Sequence, residues 1–331
     1  MSLNKRIAIA IIAIIAAFSC KKEAPAPAPK PKLAKVVMNM NPSLTYAPLM
    51  IALEEGFFAQ EGIDIEIATL DSNSAVAAAA AGKLDVLSSG VRSGVFNMIA
   101  RTGHMRVVAD KGHSTTNCVA DAFIAPIATA ERIAANGGKL RGERIALTRG
   151  GLNEFLTLRL LQSRGATLQD VTMIQLPSGT PATTRDKMDA VRLTTEPNLS
   201  GILHDGWAKI VASAEEIEPE HQNALLVYGK RLNEDEPATG HAFMRAYLRG
   251  VRQYNQGKTD RNVAILTKHT KLDEPIVRNM CWTAFYDDGR IRPERVQPFL
   301  DWALQQKLLD APMTVAQWWN PAFVEAAQKD R

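Results

Sequence analysis

Apolar and polar positions change rhythm within one short stretch, APLMIALEEGFFAQEGIDIEI, residues 47–67. Leu49, Ile51, Ala52, Leu53 and Phe57 fall mainly on one helical face, with Glu54 and Glu55 beside them. Ile63, Ile65 and Ile67 then alternate with Asp64 and Glu66, the period of a half-buried strand. Gly56 and Gly62 flank Phe57 and Phe58, so the spacing predicts a helix that stops in a left-handed residue, a corner, and a strand. The same two rhythms continue along the chain. Strands are predicted at 36–40, 63–68, 85–88, 105–109, 144–148, 171–175, 189–193 and 209–212, with helical patterns between them. After Glu234 the pattern is almost entirely helical. Such alternation predicts an α/β fold with largely parallel strand pairing.

A short internal echo points to two lobes. GKLDVLSSG (82–90) and DKMDAVRLTTEP (186–197) each follow a helical segment with Lys-apolar-Asp and a strand. Asp85 and Asp189 stand 104 positions apart, about one lobe's length. The expected arrangement is a first lobe of 36–125 plus 228–331 and a second of 126–227, with two chain crossings as a hinge. In open α/β sheets, ligands bind beyond the carboxyl ends of strands. Five turns there are rich in small hydroxyl, amide or glycine residues: Asp71 to Ser74, Ser88 to Gly90, His113 to Asn117, Arg149 to Gly151, and Thr194 to Pro197. Each by itself equally well caps a helix or closes a turn. Five at strand ends point to a shared cleft.

Charge changes the picture at one end only. The chain carries +4, from 39 Lys and Arg against 35 Asp and Glu. Residues 1–19 hold Lys5 and Arg6 ahead of a twelve-residue apolar run, Ile7 to Phe18, too short to span a bilayer and suited to a secretory signal. Ser19 before Cys20 suggests a lipoprotein cleavage site with Cys20 lipidated; a plain signal peptide or uncleaved anchor is the alternative. Residues 20–35 alternate Ala and Pro and read as a semi-rigid tether. The signal contributes +2 and the tether +4, which leaves the body at −2. The basic balance therefore belongs to the anchor, and nucleic-acid binding loses its support. Cys118 and Cys281 are read as small buried hydrophobes, although an oxidising compartment would let them pair.

Four pieces in fixed order carry a family resemblance: the Gly-Phe-Phe corner, AAAAAGKLDVLSSG, LRGERIALTRGG and MDAVRLTTEPNLSGIL. The chain resembles the periplasmic substrate-binding proteins of ABC importers in the nitrate, sulfonate and taurine group, which includes thiamine-pyrimidine-precursor binders. The resemblance runs from about Val36 past Tyr247. It implies a two-lobed periplasmic-binding-protein-like fold, a ligand cleft with a hinge, an ABC permease as partner and an extracytoplasmic, membrane-anchored location. Phe57 and Phe58 are then expected to plug a packing corner. A receptor that works by closure needs contacts from both lobes. Asn41, Ser43, Tyr46, Asn73, Ser89 and His113 are placed on one wall, and Thr148, Arg149, Gly150, Thr195 and Glu196 on the other. Tyr46 would stack on or hydrogen-bond a planar solute, Arg149 would neutralise an acidic group, and Glu196 would accept from an N–H. These favour a small polar organic ligand, a sulfonate, carboxylate or nitrogen heterocycle, over bare nitrate.

The chain departs from the family pattern in two turns. Asp186-Lys187-Met188-Asp189 stands where a glycine-containing turn is usual, and Arg149-Gly150-Gly151 replaces a serine-rich one. Cys118 stands alone, so the pyrimidine-forming activity of one branch is not carried over. The six histidines form no metal spacing, GVRSG is not a nucleophile elbow, and GGKLRG is not a phosphate loop. The reading is thus a monomeric receptor without cofactor or metal, not an enzyme. A periplasmic sensor domain and an enzyme of pyrimidine-precursor synthesis are the alternatives.

Overall fold

The computed structural model describes residues 33–177 and 188–329. The signal, Cys20, nearly all of the tether, and Asp186 and Lys187 lie outside them. Among the described residues, ten strands form two five-stranded sheets. The first contains β1 (Ala34–Asn39), β2 (Ile63–Ala68), β3 (Val86–Gly90), β4 (Arg106–Asp110) and β10 (Ala224–Tyr228), in the order β2-β1-β3-β10-β4. The second contains β5 (Asp121–Pro126), β6 (Arg144–Leu147), β7 (Thr172–Gln175), β8 (Val191–Thr195) and β9 (Ala208–Ser213), in the order β7-β6-β8-β5-β9. The two orders match position for position. β1 pairs in parallel with β2 and β3, and β6 with β7 and β8. The acids of the sequence echo stand just before strands in the same sheet position. Asp85 accepts from Val37 N at 2.8 Å and Arg231 Nη1 at 3.0 Å, while Asp189 accepts from Thr129 Oγ1 at 2.7 Å.

In each lobe one strand runs against the rest. β10 is antiparallel to β3 and β4, and β5 to β8 and β9. These are also the two strands that the hydrophobic pattern does not reveal. ALLVY is buried throughout and DAFIAP nearly so, and a strand covered on both faces gives a continuous apolar run rather than alternation. Their pairing moves the crossings. The chain leaves the first sheet after Asp110 and returns after Ser213, at 111–120 and 214–223. Residues 121–125, expected with the first lobe, pair in the second sheet, and 224–227, expected with the second, pair in the first.

The Phe-Phe corner turns at Gly56, whose φ is +69°, inside the left-handed region. Phe58 is buried against Phe243, with ring centroids 4.8 Å apart, and Phe57 lies under the Arg249 guanidinium at 4.0 Å. Both aromatics pack, as the resemblance implies. The helix Pro237–Tyr254 lies tight against Ala47–Glu54: a Cβ at Gly250 would sit 2.2 Å from Pro48 O. The helix Pro293–Gln305 serves both lobes. Its Phe299 ring lies 6.3 Å from Phe96 and 5.9 Å from Phe155. Cys118 and Cys281 are not separate buried hydrophobes. They form a disulfide, with Cα atoms 5.7 Å apart. A separation of 163 residues leaves no local signal for such a pairing.

Candidate functional site

The end of β1 opens into a loop that builds one wall of a cleft of about 350 Å³. Asn39 fixes that loop to the next strand. Its Oδ1 accepts from Ser88 N at 2.8 Å and its Nδ2 donates to Ser88 O at 2.9 Å. The Tyr46 hydroxyl donates to the same Ser88 carbonyl at 3.0 Å, and burial pushes its pKa up to about 12. With its hydroxyl spent on backbone, Tyr46 offers its ring. Lys111 Nζ lies 3.5 Å from the ring centroid and donates to Thr45 Oγ1 at 3.0 Å. Lys111 follows β4 directly and is 1% exposed, and burial holds its ammonium well below the usual lysine range. Asp110, next to it, spends its oxygens elsewhere, on Gly112 N, Gln222 Nε2 and Tyr286 N.

The facing wall is acidic. Asp121 opens β5 and Glu196 follows β8, and both are buried. Asp121 Oδ2 accepts from Asn223 Nδ2 at 3.0 Å. Burial raises its pKa and Glu215 adds to the rise, against the opposing effects of His221 and Asn223. Glu196 accepts from Ser200 N at 3.0 Å, Ser200 Oγ at 2.7 Å and Cys281 N at 3.2 Å. Burial raises its pKa in spite of those bonds, and the charge of Asp121 adds to the rise.

Residues 43–256 match the family model described as NMT1/THI5 like. The chain belongs to the NMT1/THI5-like family. Among solved structures, a ligand-binding component of an ABC-type import system from Staphylococcus aureus, with zinc bound, superposes with a TM-score of 0.71 at 16% identity, covering 88% of this chain and 98% of that one. The periplasmic nitrate-binding protein NrtA from Synechocystis PCC 6803 gives 0.73 at 14% identity, covering 91% and 89%. The alkanesulfonate-binding protein SsuA from Xanthomonas axonopodis pv. citri, bound to MOPS, gives 0.65 at 18% identity, covering 88% and 99%. No curated protein sequence matches at a significant level.

In this NMT1/THI5-like chain the cleft gathers six of the residues expected from the sequence: Asn41, Ser43, Tyr46, Ser89, Thr195 and Glu196. The other five lie elsewhere. Asn73, in the first turn of the helix capped by Asp71, accepts at Oδ1 from Arg92 Nη2 at 2.8 Å. His113 stacks on Tyr286 with centroids 3.7 Å apart and its backbone N–H donates to Ala284 O. Thr148 N donates to Asn153 Oδ1. Arg149 is tied to Glu154, Nε to Oε1 at 3.1 Å, and Gly150 N donates to Glu154 Oε2 at 2.8 Å. Lys111, Asp121, Asn223 and Thr283 line the cleft without having been expected there.

Gly150 has a different partner: the other lobe. Ser93 N and Ser93 Oγ both donate to Gly150 O at 3.0 Å, and Leu152 N donates to Val91 O at 3.1 Å. These bonds latch the loop after β3 to the loop after β6 beside the cleft. Three backbone segments meet at the hinge. His113 N donates to Ala284 O, Ser114 N to His221 O, and Asn223 N to Gly112 O, joining both crossings to a C-terminal segment.

Proposed function

We propose that the protein is an extracytoplasmic solute receptor that binds a small polar organic molecule and delivers it to an ABC-type permease. One observation carries this reading. The charged cleft is walled by strand ends of two matching sheets, with hinge segments and an inter-lobe latch beside it. A ligand held by both walls binds the closed state better than the open one, and that difference is what a closure-driven receptor needs. Family membership and the likeness to import-system receptors support it. Arg149, expected at an acidic group of the ligand, is occupied by Glu154, and Lys111 is the cation in the cleft instead.

Native mass spectrometry of gently purified protein, with solution scattering before and after ligand removal, tests the reading. A retained small molecule and a compaction of the protein on its return are expected. An unliganded protein of unchanging dimensions would sink the receptor reading, and conversion of the retained molecule would favour an enzyme. The receptor is further proposed to act as a monomer held to a membrane through Cys20. Its Ala/Pro tether would give the body reach toward the permease. Palmitate labelling of wild type and Cys20→Ala checks this: label is expected on wild type alone, and equal labelling refutes the anchor.

A further inference from the structure

The charges of the cleft are divided between its walls. Lys111 stands on the first-lobe wall, and Asp121 and Glu196 on the second. The direct partners of Lys111 Nζ are a hydroxyl and an aromatic face; the charge of Asp110 reaches it, but the Asp110 oxygens are bonded elsewhere. Asp121 has the Asn223 amide, and Glu196 has the Ser200 hydroxyl and two backbone N–H groups. His221 is the base whose charge reaches Asp121. Lys258 feels Glu196, but its Nζ donates to Met280 O. Burying such groups costs free energy unless something of opposite charge completes them. The lining also keeps two buried atoms without a partner, one on the first-lobe wall and one in the crossing beside Asp121. Ser88 Oγ lies on the lysine side and Asn223 Oδ1 next to Asp121, and both residues line the cleft. A hydroxyl donates to an anion, and an amide oxygen accepts from an N–H.

We propose that the ligand is a zwitterion held across the cleft, its anionic group on Lys111 and the Ser88 hydroxyl, its protonated nitrogen on Asp121, Glu196 and the Asn223 oxygen. This rests on the receptor reading and narrows it. A bare anion would answer Lys111 and leave two carboxylates in each other's field. A bare cation would answer the carboxylates and leave the ammonium with no counter-charge in direct contact. A molecule bearing both charges completes both walls and ties them together, so its two ends favour the closed state jointly. The cleft volume of about 350 Å³ sits at the small end of ligand pockets, roughly 300–1,000 Å³, which fits a compact zwitterion.

Calorimetry on the purified full chain tests the class with β-alanine, 4-aminobutanoate and 2-aminoethanesulfonate against propanoate, butanoate, ethanesulfonate and propylamine. At least one zwitterion is expected to bind roughly 100-fold tighter than its singly charged counterparts, about tenfold or more for each charge-assisted contact. Lys111→Met should erase the preference over the amine, and Asp121→Asn should erode the preference over the anion. Circular dichroism checks that each variant is folded, and Glu196→Gln serves as a second carboxylate variant should Asp121→Asn fail to fold. A singly charged compound that binds as tightly as the zwitterions, preferences unchanged in both walls' variants, or no binding by any of them overturns the proposal. The receptor reading fails separately. A natively retained solute with only one charge sinks the zwitterion and leaves the receptor standing.

Discussion

Asp121 holds a carboxylate where water scarcely reaches, and that has a measurable cost in the empty protein. Its pKa is raised chiefly by burial, so between the ordinary carboxylate value and the raised one the folded state keeps a proton that the unfolded chain has released. Stability from this site is therefore fully present below the ordinary range and is lost as pH rises through the raised, folded value. Asp121→Asn should remove that decline. The unliganded variant is expected to melt higher than wild type near neutral pH, with the difference vanishing toward about pH 4; scanning fluorimetry across that window reads it. Arg149→Ala should change ligand affinity by no more than about twofold, well under 1.4 kcal/mol, because its guanidinium is committed to Glu154 outside the cleft. Residues such as Asn41, Ser43 and Thr195 were legible in the sequence because small polar side chains after a strand have a recognisable turn chemistry. Lys111 and Asp121 were not. An Asp-Lys pair after an apolar run resembles a solvated strand end, and only the return of β10 beside β4 buries it.

The latch belongs to the scale of elements. Ser93→Ala keeps the backbone bond to Gly150 and deletes the hydroxyl one, which is worth about 0.5–1.5 kcal/mol net. Since the bond joins the two lobes, its loss should fall on the closed state. Affinity for a natively bound solute is expected to drop roughly two- to tenfold with little change in melting temperature of the empty protein. Calorimetry and a melting curve separate the two effects, and a large loss of stability without loss of affinity would contradict the assignment. The loop on the other side, Arg149 to Gly151, reads as a ligand turn because a glycine-rich strand end has one appearance whether its backbone meets a solute or another loop. Most strands were visible for a similar local reason. Eight show alternation or short apolar runs near their true limits, and the aspartates of the repeated Lys-apolar-Asp piece stand just before equivalent strands, β3 and β8. The two strands that escaped notice, β5 and β10, are buried in mid-sheet, where the polar half of the pattern disappears. They also set the crossings, so the expected lobe limits shift with them.

At the scale of the whole molecule, the hinge has three strands of backbone rather than the two that the crossings alone would supply. The third, around Ala284, is bonded to His113 and fixed by the Cys118–Cys281 disulfide. Thr283 extends the same segment to the cleft, and Cys281 N reaches Glu196 across it. The C-terminal region is therefore both scaffold and wall. The disulfide has one more consequence, for the chain as a connected object. It closes a covalent ring between two residues 163 positions apart, and that ring contains all of the second sheet. A single protease cut anywhere inside that ring breaks the backbone without parting the molecule. Limited proteolysis should thus yield products that run at full mass on a non-reducing gel and separate into two fragments once thiol is added. Cys281→Ser should give the two fragments under both conditions. Damage to the second lobe would leave a nicked receptor still in one piece, its two halves held in register for as long as its surroundings stay oxidising.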